Sequence, residues 1–143
     1  MNIVQALRGE HGAMYPLLEL IETTASCAPL EELRMRITCL KSILISHAEL
    51  EESVLRPAIE RYLPSPATSG PTDHDIIRTG LDQVMQAAED EARSLLLETM
   101  AFTRKHFRKE ETVIFGIAER ELSRNLQEQL GAEWATRRGV VID

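Results

Sequence analysis

Two stretches of the chain carry the same chemistry. His47 to Leu63, HAELEESVLRPAIERYL, and His106 to Leu122, HFRKEETVIFGIAEREL, align without gaps and pair His47 with His106, Glu51 with Glu110, and Glu52 with Glu111. In each copy a glutamate follows a histidine by four residues, so on a helix both side chains leave one face about a turn apart. An imidazole and a carboxylate so placed can share a metal ion. Glu52 and Glu111, one residue further on, are rotated about 140° from their histidines by the α-helical period, and with Glu49 they are expected to face water.

The two other histidines are His11 and His74, and each of the four falls on the apolar stripe of a different predicted helix. One histidine on an apolar face is commonly a hydrogen-bonded core residue. Four of them on facing helices, two with the same glutamate partner, would bury too many unpaired polar groups unless something joined them. The spacing therefore points to metal. The HExxH zinc-protease motif is absent, and none of Arg8, Leu44, Pro71 and Thr103, three residues before the histidines, supplies the glutamate of a ferritin-like Glu-x-x-His site.

The elements that must position these residues are helices. Val4, Leu7, His11, Met14, Leu18 and Ile21 recur every three or four residues from Asn2 to about Ser26, with Gly12 and Pro16 weakening the pattern locally. A second helix starts near Pro29 and carries Leu33, Ile37, Leu40, Leu44, His47, Glu51, Val54 and Leu55, with Cys39 expected in the core beside them. It must bend or end between Pro57 and Leu63, before a loop from Leu63 to Pro71. Thr72 and Asp75 form a capping box for a third helix bearing His74, Ile77, Leu81, Val84, Met85 and Ala88. A fourth helix, after a turn near Asp90, turns Leu95, Leu96, Phe102, His106, Glu110, Val113 and Ile117 inward. A short final helix, Asn125 to Ala135, docks Trp134 on the bundle.

The turns test this arrangement. His11 and His47 are equidistant from Pro29, and His74 and His106 from Asp90, so each pair meets at one height if the helices are antiparallel. The expected fold is an all-α, up-down-up-down four-helix bundle with a short C-terminal helix, a single domain over 1–143.

Composition narrows the function. A net charge of −7 argues against a nucleic-acid surface, and the basic stretches near Arg104 to Lys109 and Arg137 to Arg138 are short. No apolar run is long enough for a membrane span and the first residues do not read as a signal peptide, so the expected location is the cytoplasm. Cys27 and Cys39 form no CxxC motif. Ligand counting favours a pair of ions: the imidazoles of His11, His47, His74 and His106, bridging carboxylates from Glu51 and Glu110, and a shared oxide or hydroxide leave about one open position per six-coordinate iron. A single zinc ion would leave part of this set unexplained and is the lesser alternative.

The order His, His-x3-Glu, His, His-x3-Glu on four helices resembles the hemerythrin-like HHE cation-binding domain over nearly the whole chain, and the terminal ATRRG segment looks like the tail of bacterial members. The resemblance implies that His11, His47, His74 and His106 are terminal ligands and that Glu51 and Glu110 bridge two irons. Arg78 stands where the oxygen-carrying hemerythrins have a further histidine, so the four-histidine set looks more like the hemerythrin domain of di-iron proteins that respond to nitric oxide. Tyr15, four residues after His11, is expected beside the metals as a hydrogen-bond donor, a ligand or a packing residue. Leu44, Met14, Ile77, Leu81 and Val113 would wall the site with apolar atoms suited to a small uncharged ligand, oxygen or nitric oxide. Sensing, scavenging or stress protection leads the functional reading, with reduction of nitric oxide or peroxide, and iron storage or delivery, as alternatives.

Overall fold

The computed structural model describes residues 1–64 and 70–141. Among these there are helices and no strands, joined in the order α1 (Ile3–Thr24), α2 (Leu30–Leu50), α3 (Arg56–Ile59), α4 (Asp73–Gln86), α5 (Glu89–Lys109), α6 (Phe115–Glu121) and α7 (Arg124–Arg138). Four long helices close a ring: α1 packs on α2 and α5, and α4 packs on the same two from the other side. The middle of the expected Leu63 to Pro71 loop, 65–69, lies outside the described residues.

Local signals explain most boundaries. Asn2 caps α1 by accepting from the Gln5 amide while the Gln5 side chain answers the Asn2 amide, and Thr72 and Asp75 form the expected capping box on α4. The helix runs through Pro16 without a break. The turn between α4 and α5 falls at Ala87 and Ala88, slightly ahead of Asp90, so that Glu89, Asp90 and Glu91 occupy the first turn of α5. There they face the positive end of the helix dipole, a charge signal for the boundary where glycine and proline are lacking.

Both repeated stretches pass through a π-helical turn, Glu51–Leu55 and Glu110–Ile114, each beginning at the glutamate of the His-x3-Glu pair. The Arg56 amide donates to the Glu51 carbonyl and the Phe115 amide to the Glu110 carbonyl, bonds that span one residue more than α-helical ones. The extra residue shifts the buried stripe beyond it. In the second copy the buried positions after Glu110 are Phe115, Ile117, Ala118 and Leu122, and Val113 is left exposed rather than facing the core. Its counterpart Val54 is buried, because α7 lies along α1 and the first π turn and covers it. Gly131 lets α7 come that close, since a Cβ there would stand 2.6 Å from the Met1 carbonyl oxygen. Cys39 is likewise exposed instead of core: eight α-helical residues carry it about 80° from His47, off the stripe of Leu33, Ile37, Leu40 and Leu44.

The apolar interior falls into two clusters. One holds Met14, Leu18, Ile21, Leu33, Ile37, Leu40, Leu81, Leu96 and Phe107; the other holds Ile3, Val4, Leu7, Leu50, Leu55, Ile59, Phe115 and Ala118, with Leu126, Leu130 and Trp134 of α7 packed against it. His11, His47, His106, Glu51 and Glu110 are buried at the level between them. A polar layer is thus enclosed by two apolar ones. Such a layer is costly unless its members are paired or bind an ion.

Candidate metal centre

The four helices bring all six expected ligands into that layer. His11 Nε2 lies 3.0 Å from His47 Nε2 and 3.3 Å from Glu110 Oε2, and His47 Nε2 lies 3.4 Å from Glu51 Oε1. On the other side His74 Nε2 is 3.5 Å from Glu51 Oε2 and 3.5 Å from Glu110 Oε1, and His106 Nε2 is 2.8 Å from the same Glu110 oxygen. Each glutamate therefore turns one oxygen to each histidine pair. The result is two adjoining groups, His11, His47, Glu51 and Glu110, and Glu51, His74, His106 and Glu110, whose ligand atoms all lie within 4.8 Å of one another in each group. The equal heights expected from the turns hold for both pairs, with the His74 and His106 rings 4.6 Å apart.

A second set of acids fixes how the imidazoles are turned. His47 Nδ1–H donates to Glu10 Oε2 (2.7 Å), His74 Nδ1–H to Glu52 Oε1 (3.1 Å), His106 Nδ1–H to Asp73 Oδ2 (3.3 Å) and His11 Nδ1–H to Glu111 Oε1 (2.9 Å). An ionised carboxylate only accepts, so each bond puts a proton on Nδ1 and leaves Nε2 to the centre. The pattern runs in a closed circle. Helix α1 supplies the acid for α2, the turn after α2 supplies it for α4, α4 supplies it for α5, and the turn after α5 supplies it for α1. Every one of these acids adjoins a candidate ligand in the chain, Glu10 beside His11, Glu52 beside Glu51, Asp73 beside His74 and Glu111 beside Glu110.

Glu52 and Glu111 were expected in solvent and instead hold histidines of the neighbouring helices. The residue after an inward-facing glutamate steps about 100° around the helix, or less in a π turn, and that direction is the seam with the next helix. Glu52 keeps a foot in water, with its side chain 54% exposed, whereas Glu111 is half-buried. Tyr15 stands behind Glu111: its hydroxyl donates to Glu111 Oε1 at 3.0 Å, on the outer side of His11, and its ring meets Phe107 edge-on. Burial and the adjacent Glu111 carboxylate push the Tyr15 phenol up to about 12, which keeps it a donor to Glu111. Phe107 stacks on His11 with ring centroids 4.0 Å apart and 13° between planes.

The donor set fits a pair of ions. Two neutral imidazoles would point lone pairs at each other across the 3.0 Å between His11 and His47, an arrangement that needs a cation. Glu51 Oε1, Glu110 Oε2, His74 Nε2 and His106 Nε2 are buried with no hydrogen-bond partner. Neighbouring ligands held at about 2.1 Å from one ion stand about 3 Å apart, close to the separations seen in each group. Residues 2–118 match the family profile described as Hemerythrin HHE cation binding domain. The chain belongs to that family. Cation binding, typically of iron, is the property of such HHE domains, and the two His and Glu groups could each hold an ion. No curated protein and no solved structure gives a match to this HHE domain chain.

Without metal, His47 and His74 of the HHE domain favour their protonated forms. Burial presses the His47 imidazolium down, but the hydrogen bond with Glu10 and the nearby Glu51 carboxylate outweigh it and raise the group to about 9; for His74 the nearby Glu110, Glu51 and Glu52 carboxylates outweigh burial and raise it to about 10. Burial also pushes Glu10 up, yet the hydrogen bonds from His47, Arg138 and Trp134 hold it at about 2. Since the folded values of the histidines lie above the ordinary 6.5, their stabilising contribution is complete below about pH 6.5 and is lost as pH rises through about 9 to 10. Taken separately the two shifts are worth about 6 kcal/mol between pH 7 and pH 10, and because His47 and His74 share the Glu51 and Glu110 carboxylates the metal-free chain is expected to lose about half of that, on the order of 3 kcal/mol. Thermal unfolding followed by circular dichroism should show the midpoint falling by roughly 5–10 °C over that range. A midpoint flat with pH would contradict the charged cluster.

Proposed function

We propose that the chain is a non-haem di-iron protein that binds oxygen or nitric oxide, serving sensing, scavenging or stress protection. His11, His47, Glu51 and Glu110 would hold one iron, and His74, His106, Glu51 and Glu110 the other. Bound iron supplies redox chemistry and a position for a diatomic ligand. Imidazole and carboxylate in these proportions suit iron better than a thiolate-loving metal, and the chain's two cysteines are both exposed.

One observation carries the choice of ligand. Beside His47, His74 and His106 lies a cavity of about 20 Å³, walled by Leu44, Ile77, Leu81 and Phe107 among others. It has room for about one water-sized body, and its walls offer apolar contact. Three of the four apolar residues were expected around the site from the sequence. A diatomic gas matches this space in size and polarity.

A second cavity, about 340 Å³, opens onto the His74 and His106 half, between Leu55, Ile59 and Ile114 on one side and Pro71 to Asp73 on the other. It is much larger than a diatomic requires. That size supports the second reading, catalysis in which nitric oxide or peroxide is reduced and product leaves by this opening.

The test begins with protein purified from iron-supplemented cells. The expected result is about two irons per chain and a visible spectrum that bleaches with dithionite and changes on addition of nitric oxide. Zinc, or a spectrum indifferent to both reagents, would refute the reading. A reversible change without consumption of the gas favours binding, and sustained consumption with a reductant favours catalysis.

A further inference from the structure

Helix α7 enters the metal centre from beyond residues 2–118, the part of the chain that matches the family. Its point of entry is Glu10. Glu10 Oε2 accepts from His47 Nδ1, while Glu10 Oε1 accepts from Trp134 Nε1–H at 2.7 Å and from Arg138 Nε–H at 2.6 Å. Arg138 is forked: its other nitrogens donate to the Ser46 hydroxyl and, at 3.2 Å, to the Ser46 carbonyl, one residue before His47. Arg137 adds a bond to the Ser53 hydroxyl at 2.7 Å, in the first π turn.

The other three outer acids are held less firmly. Glu111 takes one bond from Tyr15, Asp73 takes one from the exposed Lys109, and Glu52 receives only its histidine. The two halves also differ in shelter, since the side chains of His11 and His47 are 0% and 1% exposed while that of His74 is 16% exposed and borders the larger cavity. An acid locked by two further donors holds its imidazole in one orientation, and such outer partners commonly change metal affinity by about 10–100-fold.

We propose that α7 is a latch on the His11 and His47 half of the centre, with Trp134 and Arg138 as positioning residues that fix Glu10 and, through it, the inward nitrogen of His47. This rests on the two-ion reading given above. Its consequence is inequality: the latched ion exchanges slowly and the ion of the His74 and His106 half exchanges quickly.

The experiment loads the full chain with ferrous iron without oxygen and follows release to a chromogenic ferrous chelator. The wild type should release iron in two phases of equal amplitude. Arg138→Ala should speed the slow phase by about 10–100-fold and leave the fast phase alone. Trp134→Phe keeps the ring packing and deletes only the N–H, so it should speed the slow phase by a few-fold, and Arg138→Lys, which keeps the charge but not the fork, should fall between wild type and Arg138→Ala.

A second readout needs no metal. In the metal-free protein, solvent exchange of the His47 Nδ1 proton, read by nuclear magnetic resonance, should quicken in Arg138→Ala while that of His11 Nδ1 does not change. The latch is overturned by a single release rate in the wild type, by a slow phase that ignores both variants, or by equal acceleration of both phases and both imidazole protons, which would mean a general loosening. A chain that takes up no iron would sink the two-ion reading, and the imidazole protons would still decide the latch.

Discussion

Glu110→Ala is expected to lose both metal ions, not one. Glu110 Oε2 stands 3.3 Å from His11 Nε2, and its Oε1 stands 3.5 Å and 2.8 Å from His74 and His106 Nε2, so the substitution withdraws an oxygen from each group. Removing even an outer partner of a ligand costs about 10–100-fold in affinity, and losing a charged ligand should exceed that, giving more than about 100-fold weaker binding at both positions. Metal analysis of the purified variant by mass spectrometry should find well under one ion per chain. Glu52→Ala offers the contrast, since Glu52 touches only His74 and should weaken one half. Two tightly held ions in Glu110→Ala would refute the shared-carboxylate arrangement.

The same variant also bears on folding. Burial pushes the Glu110 carboxyl up, but the three imidazoles within 2.8–3.5 Å of it hold it far below the usual carboxylate range. Removing the anion takes the shared carboxylate from imidazoles that keep Glu111, Glu52 and Asp73 on their outer side. With those partners left, the cost at neutral pH is expected to be smaller than that of an isolated buried charge. Glu110→Gln, which keeps the shape and loses the charge, should follow Glu110→Ala in metal content.

Phe107→Ala is expected to give the largest loss of stability. The ring is fully buried, stacks on His11 and meets His47, His106 and Tyr15 at 5.6–6.2 Å, so it supports one wall of the polar layer from the apolar side. Truncating a buried phenylalanine costs about 3–5 kcal/mol, through lost burial and the cavity left behind. Urea unfolding of the metal-free protein should show that loss, and Phe107→Leu roughly a third of it. The truncation also enlarges the 20 Å³ cavity that Phe107 helps to line, so the metal-loaded variant should take up gas faster than the wild type. A loss under about 1 kcal/mol would mean that the neighbouring side chains refill the space.

The parts of the site readable from sequence were those governed by one helix at a time. His47 and Glu51, and His106 and Glu110, share a face because of the helical period alone, and the equal heights of His11 with His47 and His74 with His106 follow from chain length across a turn. The parts not readable depend on how two helices meet. Glu52 and Glu111 point away from their own histidines, and only the neighbouring helix turns that direction into a contact. The acids adjacent to all six ligand positions except His47 and His106 were a visible signal, in Glu10, Glu52, Asp73 and Glu111, although nothing in the spacing says which histidine each would serve. The π turns have no mark in EESVL or EETVI that an α-helix would lack, and Val113 was misplaced for that reason. Tyr15, expected beside the metals, gives its hydroxyl to Glu111 on the outer side of His11, a contact between helices that its spacing alone does not specify.

The circle of outer acids has a consequence for how such a protein can be built. It uses two kinds of hand-off, each occurring twice: an acid just before a histidine serves the next helix, and an acid just after the inward glutamate serves the one following. Residues Glu10, His11, His47, Glu51 and Glu52 contain one of each, and Asp73, His74, His106, Glu110 and Glu111 contain the second set in the same order. A single helical hairpin thus holds a complete half of the parts list, and two copies of one hairpin meeting across a twofold axis would close the same circle. The chain has the logic of a paired hairpin whose halves are unequal, since α7 covers one and the other borders an open cavity.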